Sequence, residues 1–205
     1  MRVVQVKCPA CNTPIYSKER DRLFYCDKCN TLHVRDGGTE KVEYEIAEFN
    51  SSAQGEKVYM PFWRMYSSFT IHSKSVEGGQ LFRLSSWLKG GGNSGSLFIY
   101  LPATDMDTNS MKYWSTTFSA NNPRYATRLN FGGVRRLPAS MRMEEAKSLA
   151  DFVVVTMEAE KPGVLQQLNY TLTVNDAKAR RELGYRPVVS VDEGLRELLE
   201  PANRA

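Results

Sequence analysis

The only four cysteines of this 205-residue chain form two Cys-x-x-Cys pairs, Cys8 with Cys11 and Cys26 with Cys29, with fourteen residues between them. Two thiolates three positions apart grip one side of a tetrahedral ion, and a hairpin between the pairs brings the other two to the opposite side. That is the chemistry of one structural zinc ion, with four thiolates closing the shell and leaving no position for a catalytic water. Each pair runs directly into an asparagine, Asn12 and Asn30. Asparagine tolerates the left-handed backbone that follows a metal-binding turn, and the amides of such a turn can point at sulfur. His33 follows Cys29 by four residues. With four thiols already present, it is expected to be a strand residue beside the site and not a ligand.

Over residues 1–48 this pattern resembles the zinc-ribbon family. Beyond it, Met60-Pro61-Phe62-Trp63-Arg64 and Ala159-Glu160-Lys161-Pro162 resemble uncharacterised bacterial zinc-ribbon proteins. The resemblance implies a small zinc-clipped module at the N-terminus and no particular activity.

Charge sharpens the reading. Four thiolates around a divalent ion carry 2−, which lowers the chain's formal +4 to +2. Residues 1–48 hold eight Lys or Arg against eight Asp or Glu, and residues 175–205 hold six against six. The surplus, thirteen against nine, lies in residues 49–174. A zinc-loaded N-terminal segment is therefore slightly acidic, which argues against it as a grip on phosphate backbones. No apolar run approaches the length that spans a bilayer, and residues 1–7 lack the apolar stretch of a secretion signal. Paired thiols with none left over suit a reducing compartment, so the cytoplasm is the expected location.

The elements that must hold the cysteines read as short strands: 3–7 and 23–25 lead into the two knuckles, 31–35 leaves the second, and 41–46 alternates with period two. The polar stretch 50–55 is the best linker. Strands are expected at 58–72, 81–88, 97–101 and 168–174. A helix is indicated over 106–120, with Asp107 as its cap. A second runs over 143–161, with Glu144 and Glu145 at its positive end. In the tail, Gly184 is placed to end a helix over 177–183, and the capping box at Ser190 starts another over 190–199.

The tail, from Asp176 through Arg180-Arg181-Glu182-Leu183-Gly184-Tyr185-Arg186-Pro187 to Leu195, resembles the C-terminal end of extended short-chain dehydrogenases and nucleotide-sugar epimerases. There it implies a closing helix pair remote from the chemistry. No glycine-rich turn follows an N-terminal strand, and Tyr113, Tyr125 and Tyr170 all lack a lysine four positions on. No nucleotide-cofactor site and no catalytic residue are expected, and Asp105 and Asp107 read as loop and cap carboxylates.

One polar segment stands apart. Residues 124–142 contain Arg124, Arg128, Arg135, Arg136 and Arg142 and no acid, with Tyr125, Phe131 and Gly132-Gly133. Arginine forks among aromatics suit a nucleic-acid backbone, although a solvated loop has the same composition. The chain thus reads as an α+β protein in three parts: a zinc ribbon at 1–48, a mixed domain at 49–174 and a short helical tail at 175–205. The expected role is non-enzymatic binding or scaffolding, with a protein partner, no membrane, and Zn2+ held by Cys8, Cys11, Cys26 and Cys29. The alternatives are nucleic-acid binding through 124–142, or an epimerase- or dehydratase-related fragment.

Overall fold

The computed structural model describes residues 3–18, 20–35, 39–49, 55–77, 94–159, 164–175 and 183–189. The two cysteine pairs arise from two small antiparallel sheets. In the first, β1 (Val3–Lys7) pairs β2 (Pro14–Lys18) with Val6 opposite Ile15. In the second, β3 (Leu23–Cys26), β4 (Thr31–Arg35) and β5 (Thr39–Val42) lie in that order.

The chain crosses into a larger sheet at Glu43. The single strand expected across 41–46 is two strands, because β6 (Tyr44–Ala47) leaves β5 and joins a seven-stranded sheet. Period-two alternation runs unbroken through Glu43, so it carries no sign of the change of sheet. The axis of the large sheet is β7 (Lys57–Glu77). Along its first third it pairs β10 (Arg135–Arg136) on one edge and β12 (Leu183–Val189) on the other. Further on, the partners become β8 (Ser94–Pro102) and β11 (Val164–Val174). β9 (Thr127–Arg128) closes the outer side of β6.

Both faces of β7 are covered. Val58, Met60 and Phe62 point to α1 (Thr108–Ala120), where Phe118 lies 5.0 Å from the Phe62 ring. Tyr59, Trp63, Met65, Phe69 and Ile71 point the other way, into a core closed by Ala146, Ala150, Val153, Val154 and Met157 of α2 (Met143–Ala159). Both helices stand where the sequence puts them. Asp107 caps α1 by accepting from the amides of Asn109 and Ser110, while Glu145 reaches back to the Arg142 amide at the start of α2. The α+β class holds, with far more strand than helix.

The helical tail is corrected where the structure describes it. Leu183, expected to finish a helix, and Gly184, expected to stop it, begin strand β12, which lies between β6 and β7. An unpaired edge of β7 offers backbone bonds from Lys57 to Trp63, and Val188 and Val189 suit a strand better than a helix. Pro187 lies beyond the reach of β6, so its missing N–H costs no bond there. The rest of the expected helix pair, and the strand expected at 81–88, lie outside the described residues. Among the described residues no helix is long and apolar enough to cross a membrane.

The three-stranded sheet works on both faces. Leu23, Tyr25, Leu32 and Val42 share the large core with Trp63 and Phe69, whereas Phe24 and Cys26 turn the other way to pack with Cys8 and Ile15. Strand alternation alone produces this division. A metal held by the cysteines therefore rests on a sheet whose back is part of the main core.

Candidate metal centre

The four Sγ atoms lie within 4.8 Å of one another, close enough to hold one metal ion. Cys11 and Cys26 are 3.5 Å apart, and Cys8 and Cys29 are 3.7 Å apart. A tetrahedron with metal–sulfur bonds of about 2.3 Å has edges of about 3.8 Å, so these spacings need almost no adjustment to become ligand–ligand edges.

The knuckle turns form as their asparagines require. Asn12 and Asn30 are the only non-glycine residues with positive φ among the described residues, at 58° and 49°. In the first knuckle the Asn12 amide donates to the Cys8 carbonyl, and the Cys8 amide donates to the Thr13 carbonyl. The second is held from the side: Tyr25 donates to Asn30 Oδ1 at 2.7 Å, and Tyr44 donates to the Asn30 carbonyl at 2.8 Å.

Hydroxyls complete the surroundings of the sulfurs. Thr13 Oγ1 lies 3.2 Å from Cys11 Sγ, and Thr31 Oγ1 lies 3.0 Å from Cys29 Sγ and 3.7 Å from Cys8 Sγ. His33 is buried beside them, with Nε2 3.1 Å from Thr31 Oγ1 and 3.7 Å from Cys8 Sγ. Its Nδ1 has no hydrogen-bond partner among the described residues. An unsatisfied buried nitrogen costs about 1–3 kcal/mol, a cost the fold accepts in holding the imidazole against the sulfurs. Both knuckles end in the same Cys-Asn-Thr, at Cys11 to Thr13 and Cys29 to Thr31, and that repeat is the signal the sequence holds for the two threonines.

These donors divide the thiols without any metal. Burial works to raise Cys8, but the amides of Cys11 and Ala10 and the Thr31 hydroxyl outweigh it and bring the thiol down to about 7. The Thr13 hydroxyl and amide bring Cys11 down to about 6. Cys26 moves the other way, pushed up to about 12, first by burial and then by the neighbouring Cys11 and Cys29 sulfurs. At neutral pH Cys11 is thus mostly thiolate and Cys8 about half so, while Cys26 keeps its proton until a cation displaces it.

A pH dependence follows. Above pH 8 Cys8 and Cys11 are ionised, but Cys26 still releases a proton on binding, so metal affinity should rise at least about tenfold per pH unit. Below pH 6 Cys8 and Cys11 must also lose protons, and the slope should steepen to at least about a thousandfold per unit. Competition with a chromophoric chelator between pH 5.5 and 8.5 measures this. A flat profile would contradict a thiolate site.

The other residues singled out in the sequence lie elsewhere. Asp107 is the α1 cap, and Asp105 accepts from Ser140 Oγ at 2.6 Å. A second histidine, His72 in the later half of β7, meets Thr171 Oγ1 at 2.8 Å. The arginine segment packs against the cysteine-bearing part. Arg136 Nη2 lies 2.6 Å from Asp21 Oδ2 and donates to the Leu23 carbonyl, while the Phe131 ring stands 4.9 Å from Tyr25 and 5.4 Å from Tyr59. Comparison with protein-family models, curated proteins and solved structures finds no match to this chain.

Proposed function

We propose that this is a zinc-binding protein of the binding or scaffolding kind, in which Cys8, Cys11, Cys26 and Cys29 hold one structural zinc ion in a ribbon-like module. The observation that carries the reading is the pair of sulfur spacings, 3.5 and 3.7 Å, already close to the edges of a zinc–thiolate tetrahedron. Bound zinc supplies a divalent charge that keeps four thiolates together and ties the two small sheets to each other. Four protein ligands fill a tetrahedral shell, so the centre serves structure and not the activation of water. Amides and hydroxyls directed at the sulfurs fit that role, since they spread the 2− charge of the loaded cluster. Free paired thiols support a cytoplasmic location. Metal analysis of protein purified without added metal should give one zinc per chain. Iron in its place, or no metal at all, would overturn the reading.

The partner in this reading is another protein. Nucleic-acid binding through 124–142 is the second reading, and two arginines speak against it. Arg136 is directed inward onto Asp21. The Arg128 guanidinium lies over Gly132, where a Cβ would collide with it, and reaches the Tyr59 hydroxyl. Arg124, Arg135 and Arg142 are the exposed ones, and the first two are the pair to test. Duplex and single-stranded oligonucleotides should bind weakly at low salt and be lost near physiological ionic strength, with little change in an Arg124→Ala/Arg135→Ala variant. Binding that persists in salt and vanishes in that variant would favour the nucleic-acid reading instead.

A further inference from the structure

The two small sheets enclose a half-open cavity of about 450 Å3 next to the cysteine cluster. Val6 and Lys7 of β1, Pro9, Ile15 of β2, Phe24 of β3, Arg35 at the end of β4 and Thr39 at the start of β5 line it. Its volume falls within the roughly 300–1,000 Å3 of ligand sites. Val6, Pro9, Ile15 and Phe24 make an apolar floor, and the two charged lining residues among the described residues are both cations, one from each sheet.

Among the described residues, those cations lack what others have. Arg64 forks onto Glu45, Arg136 meets Asp21, and Lys147 meets Glu144. Lys7 and Arg35 are exposed and form no ion pair with a described residue. On the same sheet face, His33 stands opposite Phe24 in register, and its Nδ1 has no partner among the described residues.

We infer that this cavity receives an acidic peptide segment, seating an apolar side chain on the Val6–Ile15–Phe24 floor and a carboxylate between Lys7 and Arg35. The inference rests on the binding-module reading and gives its partner a chemistry. Charge complementarity selects the occupant. A nucleic-acid backbone brings a row of phosphates to a segment that balances eight basic against eight acidic residues, and whose loaded cluster adds 2−. A single carboxylate beside an apolar side chain meets the two cations without that repulsion.

The test uses the full metal-loaded chain, labelled with 15N, and three acetylated, amidated tetrapeptides: Leu-Glu-Leu-Glu, Leu-Gln-Leu-Gln and Leu-Lys-Leu-Lys. The Glu peptide should shift the amides of Val6, Lys7, Phe24, Arg35 and Thr39, and the Gln peptide should bind at least about tenfold more weakly. A Lys7→Glu/Arg35→Glu variant should lose the Glu peptide and take the Lys peptide. A Lys7→Gln/Arg35→Gln variant, which introduces no new charge, should lose the Glu peptide and gain nothing. The inference is overturned by shifts that map elsewhere or by equal binding of the Glu and Gln peptides. It is overturned equally by no peptide response with weaker metal retention in the double variants, which would mean the cations serve only to offset the thiolates. Metal content of the same samples separates the two levels. A chain that holds its zinc but ignores the Glu peptide loses only this inference, whereas a chain without zinc fails the reading beneath it.

Discussion

Removing the metal should destabilise far more of the chain than the segment that binds it. In isolated finger peptides, structural zinc contributes roughly 10–16 kcal/mol of apparent binding free energy, most of which is folding free energy. Here the cluster packs on one face of the three-stranded sheet, through Phe24 and Cys26, and the other face puts Leu23, Tyr25, Leu32 and Val42 into the core around Trp63. Once the sulfurs are no longer held, the knuckles, the Tyr25 and Tyr44 bonds to Asn30 and the sheet itself lose their constraint together. Chelation, or serine at Cys8, Cys11, Cys26 or Cys29, should therefore abolish metal binding and lower the main thermal transition by well over 10 °C, given roughly 2–4 °C per kcal/mol in a chain of this size. Calorimetry of the zinc-loaded, chelated and Cys26→Ser proteins measures it. Full zinc retention in Cys26→Ser would sink the four-thiolate site. An unmoved main transition would show that the shared core contributes nothing across the sheet.

What could be read in advance was whatever depends on neighbours in sequence. The left-handed turns at Asn12 and Asn30 follow from residue type beside each cysteine pair, and they appear at φ 58° and 49°. The Asp107 cap and the face of α2 carrying Ala146, Ala150, Val153 and Met157 are equally local. Features settled by distant partners were not legible. Strand periodicity through 41–46 cannot say that Val42 and Tyr44 belong to different sheets, because both sheets use the same period. Gly184 carries a real helix-stopping preference, but the open edge of β7 outweighs it with a row of backbone bonds. Arginine counts over 124–142 describe a solvated or ligand-binding loop equally well. That Arg136 is directed inward follows from an aspartate more than a hundred residues earlier, and composition holds no trace of the pairing.

That aspartate supports the second large effect. Asp21 stands between β2 and β3, on the stretch joining the two cysteine pairs, and is 7% exposed. Its Oδ1 accepts from the amides of Leu23 and Ala139, both at 3.1 Å, and its Oδ2 meets Arg136 Nη2. Alongside it, the Arg22 amide donates to the Ala139 carbonyl and Arg22 Nε to the Ser140 carbonyl, each at 2.8 Å. One carboxylate thus serves three donors at the junction of the cysteine-bearing sheets with the segment leading into α2. Asp21→Ala would take the carboxylate from a largely buried guanidinium and leave two buried amides without acceptors. Breaking a buried pair from one side costs about 3–5 kcal/mol, which at 2–4 °C per kcal/mol is a fall of roughly 6–20 °C in Tm. Asp21→Asn should cost less, because Oδ1 can still accept from both amides, although Nδ2 then turns a donor toward Arg136 and the contact with the guanidinium is lost. Salt should change neither effect much, since little solvent screens the pair. Zinc content separates this loss from that of the metal, and Asp21→Ala should still carry one ion per folded chain. A shift within about 0.5 kcal/mol, the range of ordinary surface substitutions, would mean that Asp21 does not join the two parts and that the arginine segment is free for another partner.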